Sequence, residues 1–519
     1  MQGEATERER MRTRGLVFLL AGIFAGLAGC GGSTQTPALT NPDPPPPTDS
    51  VSGTVTFNGT PLAGATVTAF DTNNNSVYGV ATTDSSGKYS FSGIGTTGNV
   101  AGEYQFWASK PGYGFYPSTG SGAKVTRADY TGQFSGNGVT DIAIYFTVID
   151  YAALPEGPLT GANFTAYDGT APLVRLAATG QQISYAAGDD AAQHQGIAWP
   201  ASRFSDNGDG TVRDNLTGLV WLADAGCLQP APWAAAIGEV NQLASGMCGL
   251  KDGSASGDWR LPNLNELESV VDVSASNPAI TPGAPFVHVS SGIYWSSTSY
   301  WGGEGGSPNA WAIRLGDGRY INDGVANSKT GAGNAVWAVR GSGSGAVAAL
   351  QATGMYVPYT SGDDGSLQTG IPLTYPRWID NGNGTITDTM TGLIWLKKAD
   401  CIQQPWSGAL AAVQTLASGQ CGLSDNSAAG DWRMPNRNEM QSLSDRMETN
   451  HADFFNATYV WKDGTPYRLP LFTNFIAAQY YWTSTTDAAD SSEAWTVFSC
   501  DFGVYDTPKN LSGYTLAVR

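Results

Sequence analysis

The chain has 519 residues, which is enough for several domains. Only 14% of its residues are charged, whereas glycine occurs 66 times and aromatic residues make up 11% of the total. This composition is typical of turn-rich extracellular β proteins and unlike that of a helical cytosolic enzyme. The net charge of −18 repels phosphate backbones, so we exclude nucleic acid as a partner.

The N-terminus has the pattern of an export signal. A basic stretch containing Arg8 and Arg14 precedes an apolar run at 16–27, about half the length of a membrane-spanning helix. The run ends in Leu-Ala-Gly directly before Cys30, an ending that resembles the lipobox of bacterial lipoproteins. The resemblance implies that residues 1–29 are a signal peptide and that Cys30 carries a lipid. By the same resemblance the glycine after Cys30 implies passage to the outer membrane, and so to the cell surface.

Residues 30–50 are rich in serine, threonine and proline, with four consecutive prolines at 44–47. Such a segment resists packing and favours an extended, semi-rigid spacer. We therefore expect a proline-rich linker that holds the folded domains away from the membrane.

Residues 51–150 contain short segments in which apolar and small polar residues alternate, separated by Gly, Asn and Asp turns. Strands of this kind at regular spacing indicate an antiparallel β-sandwich. Motifs at 59–65, 83–89 and 110–113 resemble the carboxypeptidase regulatory-like, transthyretin-type domain. Despite its name that family carries no catalytic residues, so the resemblance implies a spacer or accessory domain.

The rest of the chain is an internal duplication. Thr-Gly-Leu-Val-Trp-Leu at 217–222 returns as Thr-Gly-Leu-Ile-Trp-Leu at 391–396, and Gly-Asp-Asp also occurs twice, at 188–190 and 362–364. A period this long means two tandem domains and not a solenoid, and we place them at 170–343 and 344–519.

Each repeat has a mixed pattern that predicts an α+β domain. Asp-Asn-Gly-Asp-Gly at 206–210 predicts a hairpin turn. Apolar residues at helical spacing predict a helix at 233–243. Asn263 followed by Glu266 predicts a capped helix from residue 264 to about 272, and Asn436 with Glu439 repeats that arrangement. Short strands around tryptophans complete the repeat.

Both repeats strongly resemble the family named for the C-terminal domain of the Lcl collagen-like adhesin. The shared motifs are the Asn-Gly-Asp-Gly hairpin, Thr-Gly-Leu-x-Trp, Asp-Trp-Arg-Leu-Pro, Tyr-Trp-Ser-Ser-Thr and a terminal Val-Arg. The resemblance implies a C-type-lectin-like fold with variable surface loops in mostly uncharacterised exported proteins, of which the named one binds sulfated glycans. The second repeat departs from the first by an aromatic insertion at 449–475. The predicted fold class is therefore multidomain, an all-β sandwich followed by two α+β C-type-lectin-like domains.

Four cysteines form a pair at matching places in each repeat: Cys227 with Cys248, and Cys401 with Cys421. In an exported chain this predicts one disulfide per domain. A metal site is the alternative, but no histidines accompany the pairs. Cys500 has no counterpart in the first repeat, and we expect it to be buried with a free thiol.

Two kinds of residue could bind ligands. Asp189, Asp190, Asp206 and Asp209 are candidates for calcium, although turn chemistry explains them as well and the first ligand position of a full calcium loop is not acidic. Otherwise we expect no cofactor and no resident metal. The tryptophans common to both repeats are expected to be core anchors. The predicted ligand-binding residues are the aromatic and basic ones where the repeats diverge: Tyr300, Trp301, Arg314, Arg319, Trp461, Tyr467, Phe502 and Tyr505.

These observations predict a surface-displayed lipoprotein whose repeats bind an external glycan or protein, as an adhesin does. No nucleophile–base pair, P-loop or metalloprotease motif occurs, so we do not expect an enzyme. Two alternatives stay open. One is a structural protein of the cell envelope, and the other is an enzyme of the formylglycine-generating kind, which has a related lectin-like fold and would use Cys500.

Overall fold

The described part of the chain covers most of the two repeats and part of the region before them. The computed structural model describes residues 50–57, 60–71, 76–92, 103–110, 114–117, 149–150, 159–160, 164–167, 174–300, 308–321, 327–331, 333–341, 346–355, 357–373, 377–448, 450–456, 458–462 and 465–519. The predicted signal peptide, Cys30 and the linker up to residue 49 lie outside these ranges.

The region before the repeats is made of β-strands. They are β1 Ser50–Phe57, β2 Thr60–Pro61, β3 Thr66–Asp71, β4 Ser76–Thr82, β5 Lys88–Ser92, β6 Glu103–Ser109, β7 Gly114–Pro117, β8 Ile149–Asp150, β9 Leu159–Thr160 and β10 Phe164–Tyr167. Their order is β2-β1-β10-β7 in one sheet, with β5 and β9 also paired to β1, and β4-β3-β6-β8 in a second. Alternate residues such as Val55, Val67 and Ala69 are fully buried, as the period-two pattern predicts.

The first repeat contains two small antiparallel sheets and two helices. Its elements are β11 Phe204–Asp206, β12 Thr211–Asp214, β13 Val220–Leu222, α2 Trp233–Asn241, α3 Leu264–Ser269, β14 Ile293–Ser299, β15 Ala310–Arg314, β16 Arg319–Ile321 and β17 Val339–Arg340, and helix α1 Asp190–Gln193 precedes them. The sheet orders are β11-β12-β13-β17 and β14-β15-β16.

The second repeat has the same plan with extra strands. Its elements are β18 Trp378–Asp380, β19 Thr385–Asp388, β20 Ile394–Leu396, β21 Ile402–Pro405, α5 Trp406–Gln414, α6 Arg437–Ser442, α7 His451–Asn456, β22 Thr458–Lys462, β23 Thr465–Leu469, β24 Tyr480–Thr486, β25 Glu493–Phe498, β26 Val504–Pro508 and β27 Ser512–Thr515, and helix α4 Asp364–Leu367 precedes them. The sheet orders are β20-β19-β18-β22-β23 and β21-β27-β24-β25-β26. The predicted aromatic insertion thus forms α7, β22 and β23.

Local sequence explains where these elements begin and end. Asn263 and Asn436 each form a reciprocal capping box with the glutamate three residues later, as predicted. Helix α2 ends at Asn241, two residues before the predicted end. The N–H groups of the next two residues bond to carbonyls three residues earlier, as in a 3₁₀ turn, so the α-helical pattern stops there. Gly210 has a φ of +86°, and a Cβ there would lie 2.5 Å from the carbonyl oxygen of Gly249. Only glycine fits this hairpin next to the following loop.

Tryptophans fill the core of both repeats. Trp221, Trp233, Trp259 and Trp295 are almost completely buried, and the repeated positions in the second domain are buried in the same way. The Trp233 indole N–H donates to the carbonyl of Ser296 at 2.8 Å, which satisfies its polar atom inside the core. The prediction that the shared tryptophans are core anchors is therefore confirmed.

The segment before each repeat packs on the other repeat. We call residues 174–199 the first arm and residues 346–355 and 357–373 the second arm. The first arm donates a hydrogen bond from Gln181 to the carbonyl of Thr486 in the second repeat (2.8 Å). Reciprocally, Asn265 of the first repeat donates to the carbonyl of Gln351 in the second arm (2.9 Å). The two repeats therefore exchange arms and form one unit.

The chain is multidomain and mostly β with few helices, as predicted in outline. In the described ranges no helix combines the length and the apolar character that crossing a bilayer requires.

Candidate functional site

A buried carboxylate joins each arm to the opposite repeat. Asp364 of the second arm accepts hydrogen bonds from the hydroxyls of Thr298 in the first repeat (2.7 Å) and Thr353 in its own arm (2.6 Å). Asp190 of the first arm accepts equivalent bonds from Thr485 (2.7 Å) and Thr179 (2.6 Å). Burial is the main cause that raises the pKa of Asp364 to about 7 and that of Asp190 to about 6.

A lysine held between two aromatic rings lies beside each of these contacts. The Lys329 ammonium is 4.5 Å from the ring centre of Trp233 in its own repeat and 3.3 Å from that of Tyr359 in the second arm. In the second repeat, Lys509 lies in the same way between Trp406 (4.0 Å) and Tyr185 of the first arm (4.8 Å). Cation–π attraction thus adds to both arm contacts. Burial lowers the pKa of both lysines to about 8.

The interface between the repeats, which we call the seam, contains buried charges. The Arg437 guanidinium of α6 is buried and donates to Glu268 of α3 at 3.2 Å and to the carbonyl of Gly318 at 2.5 Å. It also lies 4.5 Å from the ring centre of Trp495. Trp311 is the equivalent tryptophan of the first repeat, and the Arg446 guanidinium of the second repeat lies 4.8 Å from its ring centre, across the seam. Burial raises the pKa of Glu268 even though both arginines act to lower it.

Three of the predicted ligand-binding residues lie at or near this seam. Arg319 forms an ion pair with Asp506 of the second repeat. Tyr300 packs on Trp311 with ring centres 5.2 Å apart, and burial, together with Asp501 of the second repeat, raises its pKa to about 12. Tyr505 stands next to Asp506 on β26. Tertiary structure thus brings together residues that are far apart in sequence.

The other predicted ligand-binding residues have different outcomes. Arg314 is paired with Asp317 three residues later. Phe502 is completely buried and stacks on His451 with ring centres 4.8 Å apart, so its prediction as a ligand contact is wrong. A side chain without exposed surface cannot meet a ligand; it fills the core beneath α7. The backbones at Trp461 and Tyr467 form β22 and β23, whereas Trp301 lies outside the described residues.

An aromatic patch on the second repeat contains one predicted residue, Tyr505, and two that the sequence pattern did not identify. Tyr480, Phe498 and Tyr505 lie on three neighbouring strands, with ring centres 5.1 Å apart for the first two and 6.0 Å apart for Tyr480 and Tyr505. The side chain of Tyr480 is 38% exposed. Matching the tryptophan motifs of the two repeats places Ile293, Arg314 and Ile321 at these positions in the first repeat. That divergence was the signal in the sequence, but it identifies a patch only when strand pairing is known.

The candidate calcium carboxylates are occupied by local hydrogen bonds. Asp189 caps α1 and accepts from the backbone N–H groups of Tyr185 (2.6 Å) and Ala192 (2.9 Å), and Asp206 accepts from the Gly208 N–H within the hairpin. The described residues contain a different group of three carboxylates whose oxygens lie within 4.8 Å of one another: Asp487, Glu493 and Asp506. This group faces Arg319, so a guanidinium already balances part of its charge.

The predicted disulfides are confirmed. Cys227 is bonded to Cys248 and Cys401 to Cys421, each with Cα atoms 5.7 Å apart. The prediction of a buried, free thiol at Cys500 is wrong, because its side chain is only partly buried and the described residues contain no free cysteine.

Comparison with known families agrees with this architecture. The carboxypeptidase regulatory-like domain model matches residues 50–133, and the Lcl C-terminal domain model matches twice, at 210–340 and 384–519. No curated protein matches the chain. Both family resemblances drawn from the motifs are thus confirmed. Because the two Lcl matches together span slightly more than half of the chain, this protein belongs to the Lcl C-terminal domain family.

Proposed function

We propose that this protein is a lipoprotein, anchored through Cys30 in the outer membrane and displayed at the cell surface, whose tandem repeats bind an extracellular ligand. The lipobox-like segment and the proline-rich linker support the anchor. One disulfide in each repeat fits an oxidising compartment outside the cytoplasm. Membership of the Lcl C-terminal domain family supports a surface or secreted location.

The aromatic patch carries the binding part of the proposal. Tyr480, Phe498 and Tyr505 form a partly exposed cluster on a face where the first repeat has aliphatic and basic side chains. Tyrosine combines a large flat ring with a polar hydroxyl, a combination that is enriched where proteins bind partners. Tyr505 also has its hydroxyl 3.3 Å from Asp501, which holds the ring in place. Differing surfaces on a shared core are expected when the core is the scaffold and the surface is the site.

We further propose a C-type-lectin-like fold for each repeat and a glycan as the ligand. Two small sheets, two helices and a disulfide-closed loop in each repeat support this fold. Flat rings such as those of Tyr480 and Tyr505 can cover the apolar face of a sugar while their hydroxyls bond to its edge.

Two experiments test these parts separately. A Cys30→Ser variant should move from the membrane fraction to the soluble periplasmic or culture fraction, and unchanged membrane retention would contradict the anchor. For binding, the full-length protein is applied to a glycan array and to extracellular matrix proteins, followed by a Tyr480→Ala/Tyr505→Ala variant. The variant should lose at least tenfold in affinity, whereas Ile293→Ala at the matching position of the first repeat should not.

The outcome also separates the alternatives. Self-assembly without binding to any glycan or protein would favour a structural envelope protein. An enzyme of the formylglycine-generating kind would act on thiol-containing peptides through Cys500, so no activity on such peptides, or full activity in a Cys500→Ser variant, would exclude it.

A further inference from the structure

A polar cleft separates the first arm from the second repeat. It encloses about 580 Å³, within the range of small-molecule sites. The side chains that give the cleft its chemistry are Gln193, Gln195, Gln414, Asp431, Arg433 and Arg519. None of them belongs to the aromatic patch.

The cleft is composite, because its walls come from different parts of the duplicated chain. Gln193 ends α1 in the first arm, whereas Gln414 ends α5 in the second repeat. Asn436 of the second repeat donates to the carbonyl of Gln195 at 3.4 Å, which ties the two walls together. Gly188 of the arm also matters, since a Cβ there would lie 1.7 Å from the Gln414 side-chain nitrogen. The site is therefore complete only when the first arm lies on the second repeat.

Both arginines in the cleft are already neutralised. Arg433 makes a bidentate ion pair with Glu439 at 2.5 and 2.6 Å. Arg519 is 3.1 Å from Asp425 and lies over the ring of Trp432 at 4.9 Å, so that ring is covered and cannot stack on a ligand. Asp431 is exposed and leaves a residual negative charge. An anionic ligand such as a sulfated or phosphorylated one is disfavoured here.

The amides supply the groups that recognise hydroxyls. Each glutamine side chain offers two N–H donors and one carbonyl acceptor. The Gln195 amide donates to the carbonyl of Gln193 at 3.2 Å, which orients one wall. The Asp431 carboxylate adds an acceptor that is held in place by the Ala428 N–H at 2.8 Å. Paired donors and acceptors with little net charge match the neighbouring hydroxyls of an uncharged sugar.

We propose that this cleft binds a neutral oligosaccharide, as a second site distinct from the aromatic patch. This site rests on the proposed function, because it requires the repeats to be ligand-binding modules. It specifies the ligand class as an uncharged glycan.

The first repeat provides a matched comparison. Where the second arm lies on the first repeat, Leu367 and Thr369 of the arm take the positions of Gln193 and Gln195, and Asn241 of the repeat takes that of Gln414. Leu367 is 43% exposed and offers no polar group, and the Thr369 hydroxyl is already bonded to Asn263 (3.0 Å) and Glu266 (3.3 Å). The duplication thus provides one polar cleft and one equivalent place that lacks the two glutamines of the arm and keeps a single, shorter amide.

The test uses the full-length protein on an array of neutral glycans, with a heparin-derived sulfated tetrasaccharide as the anionic comparison. The best neutral tetrasaccharide is then titrated by calorimetry. A Gln193→Leu/Gln414→Asn variant, which installs the side chains of the equivalent place between the second arm and the first repeat, should bind it at least tenfold more weakly. The control Leu367→Ala/Asn241→Ala should bind as the parent does. Unchanged near-ultraviolet circular dichroism verifies that both variants are folded.

Three results would overturn the proposal. They are that no neutral glycan binds, that the cleft variant binds the neutral glycan as well as the parent does, or that the cleft substitutions weaken binding of the sulfated tetrasaccharide instead. These differ from failure of the proposed function. Binding that depends on Tyr480 and Tyr505 but not on the cleft would leave the repeats as ligand-binding modules and remove only this second site.

Discussion

The buried ion pair at the seam gives the sharpest test of how the two repeats are joined. Arg437 of α6 is 1% exposed and bonds to Glu268 of α3 across the interface. The duplication itself supplies the substitutions, because Leu264 stands where Arg437 does and Gln441 stands where Glu268 does. We therefore consider Arg437→Leu, Glu268→Gln and the double variant.

Removing one partner of a buried pair leaves an uncompensated charge and costs about 3–5 kcal/mol. For Arg437→Leu we expect about 3 kcal/mol, the lower end, because Arg446 also faces Glu268. For Glu268→Gln we expect about 4 kcal/mol, since the guanidinium of Arg437 then stays buried beside a neutral amide. The double variant removes both charges of this pair, and Arg446 keeps Asp445 and Asp501 as acidic neighbours, so the double variant should cost at least about 2 kcal/mol less than the sum of the single costs.

The assay is chemical denaturation followed by tryptophan fluorescence. Fifteen of the sixteen tryptophans lie at positions 199–495, so the signal reports on the repeats and hardly at all on the region before them. The slope with denaturant should stay constant if the two repeats unfold together. A cost below about 1 kcal/mol for Arg437→Leu, or strictly additive costs in the double variant, would refute the reasoning.

Three further predictions concern the arms and the disulfides. Folding raises the pKa of Asp364 from 3.8 to about 7, so the contribution of this carboxyl to stability is complete below pH 3.8 and is lost as the pH rises through 7. Asp364→Asn should therefore gain about 2–4 kcal/mol relative to the parent between pH 4 and pH 8, measured by denaturation at each pH; a constant difference would contradict a titrating carboxyl. A protease site inserted between residues 341 and 346 should yield two fragments that co-elute on size exclusion after cleavage, because each arm lies on the opposite repeat; separate elution would exclude the exchanged arrangement. Replacing Cys227 and Cys248 by serine should cost about 3 kcal/mol in the free energy of unfolding, since the bond closes a loop of about 20 residues; a cost below about 1 kcal/mol, or one that differs by more than about 1 kcal/mol from the cost of replacing Cys401 and Cys421, would be inconsistent with two equivalent bridges.

Local signals in the sequence predicted the local structure well. The capping box of Asn263 and Glu266 and the glycine-rich hairpin at 206–210 depend on contacts within a few residues, so both were visible without a fold. The disulfides were predictable for a different reason, because the pair recurs at matching places in a duplicated chain. Burial of the shared tryptophans followed from the same repetition.

The candidate site was predicted only in part. Tyr300, Arg319 and Tyr505 were singled out by divergence between the repeats, and all three are only partly buried, so their role as ligand contacts stays a prediction. That criterion failed for Phe502, because an insertion in the second repeat brings its own core aromatics, and α7 covers that ring. Divergence alone cannot distinguish a changed surface from a changed core.

The sequence by itself determined the domain order, the duplicated α+β plan, the capped helices and the disulfide pairs, because each depends on short-range chemistry or on comparing one repeat with the other. Tertiary structure alone decided that the arms are exchanged, that Asp190 and Asp364 are buried contacts between arm and repeat, and that Gln193 and Gln414 face one cleft. The physical reason is that either arm carries the same Gly-Asp-Asp motif and could in principle pack on either repeat. The choice depends on the summed packing of surfaces hundreds of residues apart, which no local pattern encodes.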